Sequence, residues 1–447
     1  MKTDNLYFLI IGLLLFGLSA IADADTYIVD RFDDSATATT CWQFAGNDCS
    51  LRGAIIKANQ TTDPDTIYVR AGTYTLTIAG AGEDLAATGD LDIKPGLTIM
   101  GLGSGATIDG NDLDRVFHIA GSTGAVHLSN LTITGGNSSN GGGGIRNQSL
   151  LFLKDCAVTD NSSDFIGGGI YNSGGSLYLD RTSVNDNQAT QAGGIYNQTG
   201  TNLNIEDSTI YGNTASNGAG GGVFNNGSST IRRTSIWANH TYYDSGSHAR
   251  GGGGIYNSGF LRLFNCSLAI NWAHDDPGGA IYNSNSLDLT HVSISSNLSN
   301  PGTSGTAIAN VAGGDLTMVN TLIVGKCNND GGSITSTGGN LEQRGNTCLL
   351  TGPGDQVNVA DAMTTFTDVG GSSKKCIVLE EGSPAIDLGY GTYCSDKDQR
   401  GFDRPVDGDG NGSVNCDIGA FEILADLPIF SDGFESGNTW RWDYPSP

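Results

Sequence analysis

Basic residues are scarce in this chain: 22 Lys and Arg stand against 47 Asp and Glu in 447 residues, a formal net charge of -25. Such a surface repels nucleic acid and anionic lipid heads at long range, and it disfavours polyanionic sugars unless cations bridge them. Charge of either sign is thin as well, at 15 % of residues, while 38 % are hydrophobic. Disorder requires the opposite balance and no regular apolar beat, so it is excluded. Long apolar runs are missing beyond the first residues; no later stretch approaches the roughly 18 residues of a membrane span.

The one early run, Leu6 to Leu18, follows Lys2 and ends at Ala22-Asp23-Ala24, an A-x-A cleavage pattern. Residues 1–24 therefore read as a secretory signal peptide, with a mature chain starting near Asp25. The expected product is secreted, extracellular or held at the cell surface, with no transmembrane segment. Nine cysteines in an exported chain imply disulfides, and the odd count leaves at least one unpaired within the chain.

What the chain has in excess is glycine, 67 residues, about twice the usual share. Much of it lies in recurring stretches: "GGGIYNSG" from Gly167 and again from Gly252, "GGIYN" from Gly193 and "GGAIYN" from Gly278. A second register, L-x-L-x-x-small-x-aliphatic-x-x-N, reads "LFLKDCAVTDN" at Leu151, "LYLDRTSVNDN" at Leu177, "LNIEDSTIYGN" at Leu203, "LRLFNCSLAIN" at Leu261 and "LDLTHVSISSN" at Leu287. "STIRRTSIWAN" from Ser229 and two looser copies bring the total to eight. The aliphatic residue recurs at Ile133, Val158, Val184, Ile210, Ile236, Leu268, Ile294 and Ile323, spaced by 25, 26, 26, 26, 32, 26 and 29.

A period of that size marks a solenoid. Within a copy, L-x-L is a strand with one buried face, the small-x-aliphatic stretch a second after a bend, and "GIYN" a third. Three short strands per turn, without the helical face of a leucine-rich repeat, make one coil of a parallel β-helix. Glycine belongs where φ is positive or where neighbouring coils approach closely. Two asparagine columns follow, one through Asn147, Asn172, Asn197, Asn225, Asn257, Asn283 and Asn310, the other through Asn161, Asn187, Asn213, Asn239, Asn271 and Asn297, whose stacked side chains can bond across coils.

The alignment also constrains the cysteines. Cys156 and Cys266 share one column four coils apart, about 19 Å at the strand spacing, beyond disulfide reach. They are expected as buried free thiols. Cys41 with Cys49 and Cys327 with Cys348 can close small loops, and Cys376, Cys394 and Cys416 compete for one bond. At the N-terminus, Leu51, Ala54, Ile55 and Ala58 fall at helical spacing behind Ser50 as N-cap, which predicts a short capping helix. The expected organisation is signal peptide 1–24, N-terminal cap 25–65, β-helix 66–325, irregular C-terminal cap 326–424 and tail 425–447.

Several stretches resemble known bacterial families. "CSLRGAIIKAN" resembles the CSLREA motif of secreted repeat proteins, with Gly53 in place of the motif's acidic residue. The glycine octets, over roughly residues 130 to 320, resemble the GGA(I/L/V) repeats of polymorphic outer-membrane proteins, whose right-handed β-helix is an exposed adhesive passenger; the C-terminal barrel that carries it there has no counterpart in this sequence. "SPAIDLG" at Ser383 and "DQRGFDRPVDGDGNGSVNCDIGAFE" from Asp398 resemble the choice-of-anchor segment of bacterial surface proteins, and "IFSDGFESGNTW" from Ile429 a short terminal motif of exported proteins. These resemblances, with the general crossover preference, imply an all-β, right-handed, pectin-lyase-like parallel β-helix.

Two regions offer chemistry. "DGDGNG" sets Asp407, Asp409 and Asn411 at alternate positions like the start of a Ca²⁺ loop, with Asp417 one place short of the closing ligand; the alternative is a tight turn fixed through Cys416. The longest coil and its neighbour bring His240, Tyr242, Tyr243, Asp244, His248, Arg250, Trp237, Trp272, His274, Asp275 and Asp276 into one region, with Arg232 and Arg233 above. Trp237, Tyr242, Tyr243 and Trp272 could stack on sugar rings, and His240, Asp244, His248, Arg250, His274, Asp275 and Asp276 are candidates to move protons. Neither the polygalacturonase groups nor the Asp and Arg sets of pectate lyases, whose fold the chain resembles, can be placed. The remaining reading of His291 is an exposed strand residue. The sequence thus points to adhesion or binding of an extracellular polysaccharide or surface glycan, with a lyase or glycoside hydrolase at 237–276 as rival and a structural scaffold as third possibility; it leaves the oligomeric state open.

Overall fold

The computed structural model describes residues 24–42, 48–94, 96–121, 124–242, 251–274, 276–299, 306–369 and 375–423. Residues 1–23 of the expected signal peptide and the tail at 425–447 lie outside the described residues.

The chain winds as a right-handed parallel β-helix. Among the described residues, one broad sheet holds 22 strands, a second holds ten and a third seven. The coil of "LYLDRTSVNDN" is representative: Ser176–Asp180 and Ser183–Asn185 lie in the broad sheet, and Ile195–Asn197 lies in the second. A fourth strand, Gln188–Gln191, follows the asparagine and belongs to the third sheet; the three-strand reading misses it, because its polar sequence carries no apolar alternation. Register is kept from coil to coil, with Leu177 opposite Leu203, Val184 opposite Ile210 and Ile195 opposite Val223. Equivalent aliphatics therefore stack in one continuous buried core.

The corner inside the broad sheet is turned by left-handed residues, mostly not glycine. Asn130, Asp155, Arg181, Asp207, Arg233, Asn265, His291 and Asn320 occupy equivalent places with φ between 44° and 54°. Asn and Asp suit this conformation because their short polar side chains bond locally. The octet glycines meet both expected needs: Gly167 has φ 61°, and a Cβ on Gly168 would lie 2.3 Å from the Gln188 carbonyl oxygen. Both asparagine columns form, each amide donating to the next at 2.8–3.0 Å. Asn329 extends the first column by one more coil.

The helix Leu51–Ala58 forms as expected, with Ser50 accepting from the Gly53 N–H. Gly53 is required there, since a Cβ would sit 2.0 Å from the Ala38 carbonyl oxygen. The ladder exceeds the expected 66–325 at both ends: Thr26–Val29 pairs with Asp65–Val69, and Ser333–Gly338, Leu341–Gln343 and Gln356–Val359 continue it.

The rest of the C-terminal region is no end cap. Thr364–Asp368 and Lys375–Leu379 form an antiparallel pair, and residues from there to 423 lie against the side of the solenoid. The Ile377 N–H donates to Ser267 Oγ at 3.1 Å, Gln399 bonds both Ser235 and Ser267, and the Ala420 N–H donates to Ser293 Oγ at 2.9 Å. This segment is a splint laid across consecutive coils. Its disulfide is Cys394–Cys416, beside Cys41–Cys49 and Cys327–Cys348, while Cys376 is buried outside these three bonds.

Candidate functional site

Outward positions of the first broad-sheet strand form a row in which each coil adds one side chain. His127, Phe152 and Tyr178 are consecutive members, stacked with centroids 4.7 and 4.8 Å apart. Asn204 and Thr230 continue the row. Both are shorter than tyrosine, so among the described residues no ring covers the second face of the outer part of Tyr178. A parallel row two residues on carries Ser129, Lys154, Asp180, Glu206 and Arg232. Together these residues line an open groove of about 750 Å³. An exposed aromatic platform edged by carboxylates, a lysine and an arginine can pack against an apolar ring face while bonding its hydroxyls. Sequence reasoning passed over this row because it lies in the x positions of L-x-L, which read simply as solvent-facing.

The region read from sequence divides. His240, Tyr242, Trp272 and His274 do converge, beside the third sheet: His274 stacks on Trp272 at 3.4 Å and on Tyr242 at 4.2 Å, and the two imidazoles are 5.8 Å apart. Burial lowers the pKa of His240, whose Nδ1 has no hydrogen-bond partner among the described residues. Asp276 is buried beneath the turn. Tyr243, Asp244, His248, Arg250 and Asp275 lie outside the described residues. Trp237 leaves the group: it is in the broad sheet, stacked on Tyr211 at 4.5 Å with Lys375 of the splint above it at 4.4 Å. Arg233 is spent on Asp207 and Glu206, whereas Arg232 reaches the groove.

His291 is the clearest correction. It is fully buried under the splint, facing the carbonyl oxygens of Gly419 and Tyr393 at 3.2 Å and receiving a hydrogen bond from Arg404. Burial and the Arg404 charge push its pKa well below the usual histidine value.

Asp407 and Asp409 come together with Asp387, which the calcium-loop spacing did not include. Asn411 bonds Asp409, and Asp417 faces away, accepting from the Asp387 and Ile423 N–H groups inside the splint. Its burial beside Glu422 raises that carboxyl to about 8.

The sequence matches no family model and no curated protein. Among solved structures, the chain is similar to the pectate lyase Pel9A, at 13% identity and a TM-score of 0.50, covering 90% of this chain and 97% of that one. A rhamnogalacturonan lyase matches at 13% identity and a TM-score of 0.33 over 70% of this chain and 84% of that one. The likeness to the pectate lyase, at 13% identity, establishes the architecture alone, a pectate-lyase-like β-helix.

Proposed function

We propose that the protein is an exported binding protein for an extracellular polysaccharide or surface glycan, and that the groove along the His127–Phe152–Tyr178 row is where it binds. The observation that carries this is the aromatic row ending on a half-uncovered Tyr178, edged by Asp180, Glu206 and Arg232. An aromatic face gives affinity for sugar rings, and the charged edge gives orientation. Three disulfides support an oxidising, extracellular location.

The test is retention on immobilised neutral and acidic polysaccharides, by affinity electrophoresis. Tyr178→Ala is expected to weaken retention at least about tenfold, the equivalent of roughly 1.4 kcal/mol, with an unchanged unfolding midpoint. Retention that survives both Phe152→Ala and Tyr178→Ala would remove the groove from the reading.

The convergence of His240, with its pKa lowered, on His274 supports a second reading, glycan cleavage at the third sheet. An imidazole neutral at physiological pH is available as a base. New reducing or unsaturated ends that vanish in His240→Ala and His274→Ala would replace binding by catalysis.

A further inference from the structure

On the outer face of the second sheet, a different sheet from those of both regions above, Asp92 and His118 sit directly opposite each other on neighbouring strands. Asp92 is fully buried and His118 nearly so, while the loop carboxylate of Asp84 reaches the same point from solvent, with 68% of its side chain exposed. His118 Nδ1 lies 2.9 Å from Asp92 Oδ1 and 3.6 Å from Asp84 Oδ1. Its other nitrogen, Nε2, faces Gln148 Oε1 at 3.2 Å. The second oxygen of Asp92 is held by the Ala86 N–H at 3.0 Å.

Both ring nitrogens thus face oxygen acceptors, yet a neutral imidazole has one N–H to give. With that proton on Nε2 and directed at Gln148, the Nδ1 lone pair points at two carboxylate oxygens. In that tautomer three lone-pair donors converge, as they do around a metal ion. The two spacings from Nδ1 suit a metal's coordination shell, in which ligand atoms about 2.0–2.2 Å from an ion stand roughly 3–3.6 Å apart, and all three ligand atoms lie within 4.8 Å of one another. A histidine that ligates through one nitrogen and anchors the other on an amide oxygen is the usual arrangement around such ions. The local charge agrees. Asp84, Asp90, Asp92 and Asp114 gather here, and Arg115 pairs with Asp90 and Asp114.

We infer that Asp84, Asp92 and His118 form a binding site for a divalent transition-metal ion. One imidazole with two carboxylates selects such an ion over calcium or magnesium, which prefer all-oxygen shells. The exposed Asp84 side leaves coordination positions open. Arg146 follows His118 in the same outward column and lies over the Tyr171 ring at 5.8 Å, at the start of an aromatic ladder that runs on through Tyr196 and Phe224.

The experiment is titration of the chelator-treated full chain with Co²⁺, followed by its visible absorption, and with Zn²⁺ in competition. Asp84→Asn and His118→Gln are the variants; Asp84 is exposed, so its substitution leaves folding intact. The expected result is a Co²⁺ spectrum displaced by Zn²⁺ but not by millimolar Ca²⁺, weakened at least tenfold in Asp84→Asn and abolished in His118→Gln. Absence of a Co²⁺ spectrum, displacement by Ca²⁺, or equal binding by wild type and Asp84→Asn would overturn the site.

Discussion

At the residue scale, the repeat decides what each polar group can do. A buried asparagine in the second column accepts from the backbone and amide of the coil before and donates onward, as Asn213 does between Asn187 and Asn239. Asn213→Ala would strand buried donors and acceptors on both sides, so a loss of about 2–4 kcal/mol is expected in chemical denaturation. The two column cysteines illustrate the opposite case. Burial raises the Cys156 thiol to about 11 and the Cys266 thiol to about 12, and a thiol that cannot ionise does not react. Alkylation of the native protein at pH 8, mapped by mass spectrometry, should spare both and label them only after unfolding.

At the element scale, the splint reuses the corner column. Asn265, His291 and Asn320, all left-handed, bond Lys397, Tyr393 and Tyr390 of the splint, whereas in earlier coils the same positions form ion pairs such as Arg181 with Asp155. Because the folded His291 resists protonation, the unfolded chain binds the extra proton below about pH 6.5. Its contribution is therefore complete above that value and is lost at about 1.4 kcal/mol per pH unit as the pH falls. Asp417 and Glu422, whose burial raises their carboxyls, slope the other way, so the comparison must be with His291→Asn. That variant keeps a residue suited to positive φ and is expected to be less stable at pH 7.5, but to lose this one-proton slope in denaturation curves from pH 7 to 5. The same contrast explains what could be read in advance. Strands whose partners recur every 26 residues announce themselves by repetition, as Leu177 and Leu203 do. His291 meets Arg404 and Gly419 across more than a hundred residues, and the splint repeats nothing, so its docking left no period to find. Asp387 joined Asp407 and Asp409 for the same reason, from outside the loop whose spacing was legible.

At the scale of the whole molecule, the acidic surface sets how a glycan arrives. A net charge of -25 repels acidic polysaccharide over about 30 Å in 0.01 M salt but only about 8 Å at 0.15 M. Retention of an acidic polysaccharide is thus expected to rise with salt over that range, while that of a neutral one stays level, as affinity electrophoresis would show. The solenoid itself is a stack in which each coil holds only its neighbours, a design that peels from its ends. The splint changes that when the molecule is pulled. Tension applied at residue 423 does not pass through the last coils, 326–359, alone. It enters sideways through Ser235, Ser267, Ser293 and Asn320, four coils at once. Bonds loaded side by side must fail together, whereas bonds peeled in sequence fail one at a time. A molecule tethered by its C-terminal end would share its load among the middle and last coils together, rather than peeling the last coil first.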